Sequence, residues 1–256
     1  MLKHLRHSGQ WLISHKDWRA HFTFIVGGIV VGLVATFMAI SSEWATHLFI
    51  QTTKISPYLP FIISPLGLML VVWLTKKFFP GSEGSGIPQV IVALEMGHEK
   101  ERSVLLTLKI AFGKVFLCIL GLLSGASIGR EGPTVHVGAS IMFSLRRFVR
   151  FRLYDMERVL ILTGGAAGVA AAFNTPLAGI VFGIEELSRS FEVRTRGLML
   201  SGVMIAAITA IAIQGDYTYF GSTSALIELQ DAVIPVIVCG LVGGVFGGLF
   251  SLILLK

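Results

Sequence analysis

An arginine and a glutamate lie side by side where charge is costly. In Ser124-Gly125-Ala126-Ser127-Ile128-Gly129-Arg130-Glu131-Gly132-Pro133-Thr134-Val135 the pair is set between two long apolar runs. A carboxyl at such a place can change charge by taking up a proton, so the segment reads as an ion path or a proton relay. Pro133 follows a glycine-broken turn and suits the first turn of a helix. That predicts a helix N-terminus whose free N–H groups and positive dipole end face whatever fills the break. An internal Arg130–Glu131 ion pair is the structural alternative, although adjacent residues seldom face each other.

Gly84-Ser85-Gly86-Ile87-Pro88 predicts a second helix start of the same kind. Its glycines permit a tight turn, Pro88 suits a first helical turn, and the Ser85 hydroxyl can donate to an anion beside the dipole's positive end. A plain capping loop would use the same residues. No Gly-Lys-Ser/Thr closes the motif, which excludes a Walker phosphate loop.

Phe173-Asn174-Thr175-Pro176 predicts an N-cap and a helix-starting proline, read as structural capping. The helix it opens, 177–187, ends in Glu185-Glu186, where the dipole disfavours carboxylates. Either Arg189, Arg194 or Arg196 pairs with them, or one of them carries protons; spacing does not choose. His136 is close enough in sequence to Glu131 to join a proton path, but a satisfied buried histidine is the expectation. No histidine or lysine stands at a spacing that would activate an embedded serine, and no metal-ligand set recurs. An enzyme, a cofactor and a metal site are therefore not expected.

The elements that must hold these residues belong in a bilayer. The 256 residues are 54% hydrophobic and only 14% charged, with a mean hydropathy of +0.77, which is membrane composition. The 29 glycines suit helices whose backbones approach closely. A net charge of +6 would suggest nucleic acid in a soluble protein; beside apolar spans it is better explained by basic cytoplasmic loops, and no nucleic-acid partner is expected. Cys118 and Cys239 both fall in apolar runs and are expected to be buried, reduced thiols. The first apolar run, 22–50, is too long for a cleavable signal. The segment before it, Trp11 to Arg19, reads as a short interfacial helix or a frayed tail.

Further spans are predicted at 59–74 and 104–123, and further apolar runs, several short of a full crossing, at 135–145, 159–173, 198–213 and 233–255. Residues 89–96 make a helix too short to cross, since about 20 residues are needed. Short runs interrupted by glycine and proline are the mark of broken and re-entrant helices. Basic residues cluster before Phe22, at 76–77, 100–102, 146–152 and 189–196, whereas 215–231 holds three acids and no base. The positive-inside rule makes the clusters cytoplasmic and 215–231 extracytoplasmic, a consistent alternation if 89–96 is re-entrant. Gly28-Ile29-Val30-Val31-Gly32-Leu33 is echoed by Gly240-Leu241-Val242-Gly243-Gly244-Val245, with the opposite direction of crossing. This predicts an inverted-topology repeat beginning its second copy.

Together these motifs resemble those of the CLC family of chloride channels and chloride/proton antiporters. The two glycine–proline motifs match its signatures at every position, and Ala170-Ala171-Ala172-Phe173-Asn174-Thr175-Pro176-Leu177-Ala178-Gly179, leading to Glu185-Glu186, resembles its third block. The resemblance covers essentially the whole chain, in order. It implies an all-α polytopic membrane protein with the CLC-type inverted-repeat fold: a segment 1–21, cytoplasmic or interfacial, a first transmembrane repeat over 22–214, an extracytoplasmic loop over 215–231, and the first helix of the second repeat over 232–256.

The resemblance also implies roles. Ser85 matches the serine that coordinates the central chloride, with the N–H groups of Gly86 and Ile87 close by. Glu131 matches the gating glutamate, which occupies a chloride site when ionised and swings out when protonated, in a site shaped by Arg130, Gly132 and Pro133. Glu186 matches the inner proton-transfer glutamate of many antiporters, so exchange is favoured over a passive voltage- or pH-gated channel of the same fold. Ser85 also resembles the serine of chloride-selective members. The implied partners are chloride, protons, the lipid bilayer and a second subunit in a homodimer; the implied location is a bacterial inner membrane with the N-terminus cytoplasmic. The family's second half adds a Gly-x-Phe-x-Pro helix start and a late tyrosine, and neither is present. The expectation is that the chain is the first half of a larger protein, and transport by this half alone is not predicted.

Overall fold

The breaks between helices, more than the helices themselves, set this architecture. The computed structural model describes residues 15–97, 99–149, 156–187, 196–215 and 229–255, and every regular element among them is helical. In order these are α1 (His15–Ile55), α2 (Pro60–Phe78), α3 (Ile87–Glu95), α4 (Glu99–Leu105), α5 (Leu108–Leu123), α6 (Glu131–Ser144), a 3-10 turn (Leu145–Phe148), α7 (Met156–Phe173), α8 (Pro176–Phe182), a π turn (Gly183–Leu187), α9 (Arg196–Gln214) and α10 (Leu229–Leu254). Six helical stretches among the described residues are long and apolar enough to cross a membrane. At 9, 14 and 7 residues, α3, α6 and α8 are not.

The chain divides into two units at Tyr219/Phe220. In the first, α7 is the hub. It is buried along nearly its whole length, as a helix apolar on every side must be, and packs against α6, α9, α1 and α8. Its closest neighbour is α6. A Cβ on Gly138 would strike the Gly164 carbonyl, and one on Gly164 the Gly138 carbonyl. The two backbones therefore touch, an approach that only small residues permit. Gly28 and Gly32 bring α1 to α9 in the same way, each with a carbonyl of α9 2.6 Å from where its Cβ would be. Phe24, Met38, Phe143, Leu160 and Ile161 fill the core between.

Several boundaries differ from expectation, each for a local reason. The helix predicted over 22–50 runs from His15 to Ile55, because no breaker interrupts it. Its first turns take in the end of the predicted interfacial segment, whose residues 11–14 lie outside the described ones. The span predicted from 104 begins at Leu108. Thr107 is extended and its Oγ1 accepts from the Ile110 N–H at 3.1 Å, which separates α4 from α5. Arg102 of α4 is buried and donates to the Met96 carbonyl at 3.0 Å and to Glu157 of α7 at 3.1 Å, tying the short helix to the hub.

Of the predicted capping group Asn174-Thr175-Pro176, Asn174 does not hold the N-cap position of α8. It ends α7 instead: its φ of 57° is left-handed, and the following Thr175 N–H returns to the Ala170 carbonyl at 3.0 Å. Asparagine tolerates that conformation better than most residues. Thr175 occupies the N-cap position of α8 without a side-chain cap bond, and Pro176 opens the helix as predicted.

The second unit holds α10, a single apolar helix of 26 residues. Cys118 is buried in α5, but Cys239 is exposed on α10, contrary to expectation; both are free thiols.

Candidate anion site at two helix starts

Gly86 is the N-cap of α3, with φ 105°, a left-handed conformation that glycine adopts without strain. A Cβ there would lie 2.6 Å from His136 Cβ and 3.1 Å from the Gly132 carbonyl, both on α6. From the other side, a Cβ on Gly132 would lie 2.8 Å from the Ser85 carbonyl and 3.1 Å from Ser85 Cβ. The two predicted helix starts are thus pressed together, and glycine is what allows it. Each presents N–H groups and a positive dipole end, and neither is closed by a side-chain cap. Ser85 is exposed beside them.

The loop before α3 is fixed from behind by Lys114 of α5. This lysine is buried and donates to the Glu83 carbonyl at 3.1 Å and the Gly84 carbonyl at 2.9 Å. Gln89 adds a bond from Nε2 to the Glu83 carbonyl at 2.7 Å, and Glu83 Oε2 accepts from the Gly81 N–H at 2.7 Å. Lys114 was not among the predicted site residues. Its signal was a lysine well inside an apolar run, the kind of residue that marks function in a membrane segment.

At α6, Arg130 holds the N-cap position and turns towards α1, where Nη1 donates to the Ala39 carbonyl at 2.8 Å. Thr134 closes the first turn, its N–H and its Oγ1 both donating to the Arg130 carbonyl, at 3.0 and 2.6 Å. Glu131 is half-buried and curls back so that Oε2 lies against Gly129. It opens on a cavity of about 350 Å³ lined by Ser42, Glu43, Thr46 and His47 of α1 and by Leu122 and Ile128. Ser42 Oγ, buried in that lining, has no hydrogen-bond partner among the described residues.

His136 does not join Glu131. Its ring is buried, with Nε2 donating to the Leu105 carbonyl at 2.9 Å, at the end of α4. That fixes the proton on Nε2 and leaves Nδ1 as an acceptor. Glu185 and Glu186 are exposed on the π turn after α8 and line a separate open cavity of about 650 Å³ with Thr175, Leu177, Val181 and Phe182. No lining residue is common to this cavity and the one at Glu131. π turns inside helices often mark functional sites. Arg189 and Arg194, offered as partners for these carboxylates, lie outside the described residues, as does the side chain of Arg196.

Interrupted helices whose starts converge within a membrane bundle define a transporter or channel of the broken-helix kind. Residues 67–256 match the family described as voltage gated chloride channel, and the chain belongs to that family, the CLC proteins. It is 32% identical over 250 residues to the H(+)/Cl(-) exchange transporter ClcA of Citrobacter koseri, covering 91% of this chain and 50% of that protein. It is equally 32% identical over 248 residues to ClcA of Vibrio cholerae, covering 90% and 50%. Among solved structures, a slow cyanobacterial Cl-/H+ antiporter superposes with a TM-score of 0.72 at 29% identity, over 90% of this chain and 55% of the other. A CLC-type fluoride/proton antiporter shares the fold, with a TM-score of 0.66 at 24% identity, over 93% and 58%. The chain spans about half the length of the curated relatives it matches. It is a multi-pass membrane protein of CLC fold.

Proposed function

We propose that the protein exchanges chloride for protons across the membrane. The observation that carries this reading is the contact of two uncapped helix starts, Ser85–Gly86 against Gly132, next to the carboxyl of Glu131. Backbone N–H groups of Gly86 and Ile87 and the Ser85 hydroxyl supply donors for a halide, and two dipole ends supply positive potential without a full charge. Ionised Glu131 competes for that potential. Once protonated it loses the reason to stay, and the anion moves. One group thereby answers to both substrates, which is the minimum that coupling requires.

Glu186, on the separate cavity, serves as the inner proton station, while Arg130 and Lys114 tie the two helix starts to α1 and α5. Residues 22–214 form the first repeat, 215–231 an extracytoplasmic loop and 232–256 the first helix of the second. The protein works as a homodimer in a bacterial inner membrane, with its N-terminus cytoplasmic. Names of the relatives favour exchange; the family description favours the second reading, a gated passive chloride channel.

Proteoliposomes bearing the protein separate these readings. Under a chloride gradient, exchange drives protons uphill and moves the reversal potential when pH alone is changed. A reversal potential that follows chloride and ignores pH would leave only the channel.

A further inference from the structure

Arg19 and Arg147 face one apolar cavity at the end of α1. About 370 Å³ in volume, it is walled by Phe22 and Val26 of α1 and by Leu145 and Phe148 of the 3-10 turn, with the two arginines in its lining. That volume lies within the range of small-molecule sites. Trp18 completes the rim and stacks on Phe22, centroids 5.6 Å apart. α1 is long and apolar enough to cross a membrane, and Trp18 near its N-terminal end is of the residue type that settles at the membrane–water boundary. A rim of tryptophan and two arginines suits the depth of lipid headgroups.

Charge decides what suits it. Of the adjacent arginines on the turn, Arg146 is engaged: Nε donates to Glu99 at 2.8 Å and its guanidinium lies over the Phe143 ring at 4.2 Å. Neither Arg147 nor Arg19 pairs with a carboxylate among the described residues, and no acid lines the cavity. Two arginines in a lining of aromatic and branched side chains match an amphiphile with an anionic head, and guanidinium binds phosphate oxygens with directed N–H bonds. A soluble anion would leave the trough empty; a neutral lipid would leave both cations unanswered.

We propose that this cavity binds an acidic phospholipid, its phosphodiester held by Arg19 and Arg147 and the start of an acyl chain laid over Phe22, Val26 and Phe148. Basic pockets between helices on the cytoplasmic side are used in this way by membrane proteins. The cavity shares no lining residue with those at Glu131 and Glu186.

The test is native mass spectrometry of the purified protein from detergent containing phosphatidylglycerol and phosphatidylcholine in equal amounts. The wild type is expected to retain phosphatidylglycerol roughly tenfold over phosphatidylcholine. Arg19→Gln with Arg147→Gln should bring the two to near parity, whereas Lys76→Gln with Lys77→Gln on α2 should not. Val26→Trp fills the trough, keeps both arginines and should also abolish the preference; Val26→Phe replaces it should the larger side chain prevent folding. Excess glycerol 3-phosphate, a head without chains, should displace nothing. Preference surviving the double arginine change, surviving the filled trough, or yielding to glycerol 3-phosphate would overturn the proposal.

Discussion

Glu131→Gln is expected to leave chloride flux in place and to remove its coupling to protons. Glutamine keeps the length and shape of the side chain, and Glu131 is half-buried on an open cavity rather than locked in the core, so the fold should tolerate the change. What is lost is ionisation. A neutral amide neither competes with an anion for the two positive helix ends nor carries a proton away from them. Removing a positioned proton carrier typically slows proton transfer by about two to four orders of magnitude, and the proton current in liposomes should fall by that much while chloride efflux persists. Parallel electrode recordings of chloride and pH check it. Unchanged proton movement would remove Glu131 from its proposed role.

Gly164→Leu is expected to cost the protein its fold. The new Cβ would collide with the Gly138 carbonyl, and the backbone on neither side is free to move away. Behind Gly164, α7 is enclosed by α1 and α9; behind Gly138, α6 packs on α5 and α1. Overpacking of a close backbone contact costs about 1–3 kcal/mol even where side chains can adjust. Here rigid carbonyls meet the added atoms, which places the change at or above about 4 kcal/mol, the exceptional end for single substitutions. Gly197→Ala is the control, since its Cβ would meet nothing within 4 Å, and should stay within about 0.5 kcal/mol. Thermal unfolding in detergent, followed by circular dichroism, distinguishes the two.

What could be read from the chain alone was local. Glycine before proline fixed both helix starts, because the backbone conformations they allow are the same in any surroundings. Apolar run lengths separated crossing helices from short ones for a similar reason. Partner choice was not legible. The guanidinium of Arg130 reaches a carbonyl of α1 91 residues away. Lys114 is a charge inside an apolar run, but the loop carbonyls it holds are 30 and 31 residues distant, and sequence gives no measure of such pairings. Asn174 suits both an N-cap and a left-handed C-terminal position, and only the continuation of α7 to Phe173 decided between them. Thr107 made the opposite impression, hidden in an apolar run while its hydroxyl cut one predicted span into two helices.

The two helix starts meet in the structure, and the proposed function depends on what they hold. Bromide, a heavier halide that stands in for chloride, can be located by anomalous diffraction from crystals of the protein. The expected result is a peak within hydrogen-bonding reach of Ser85 Oγ and the backbone nitrogens of Gly86 and Ile87, beside Gly132. A halide that binds only elsewhere, with that position unoccupied in protein that still transports bromide, would contradict it.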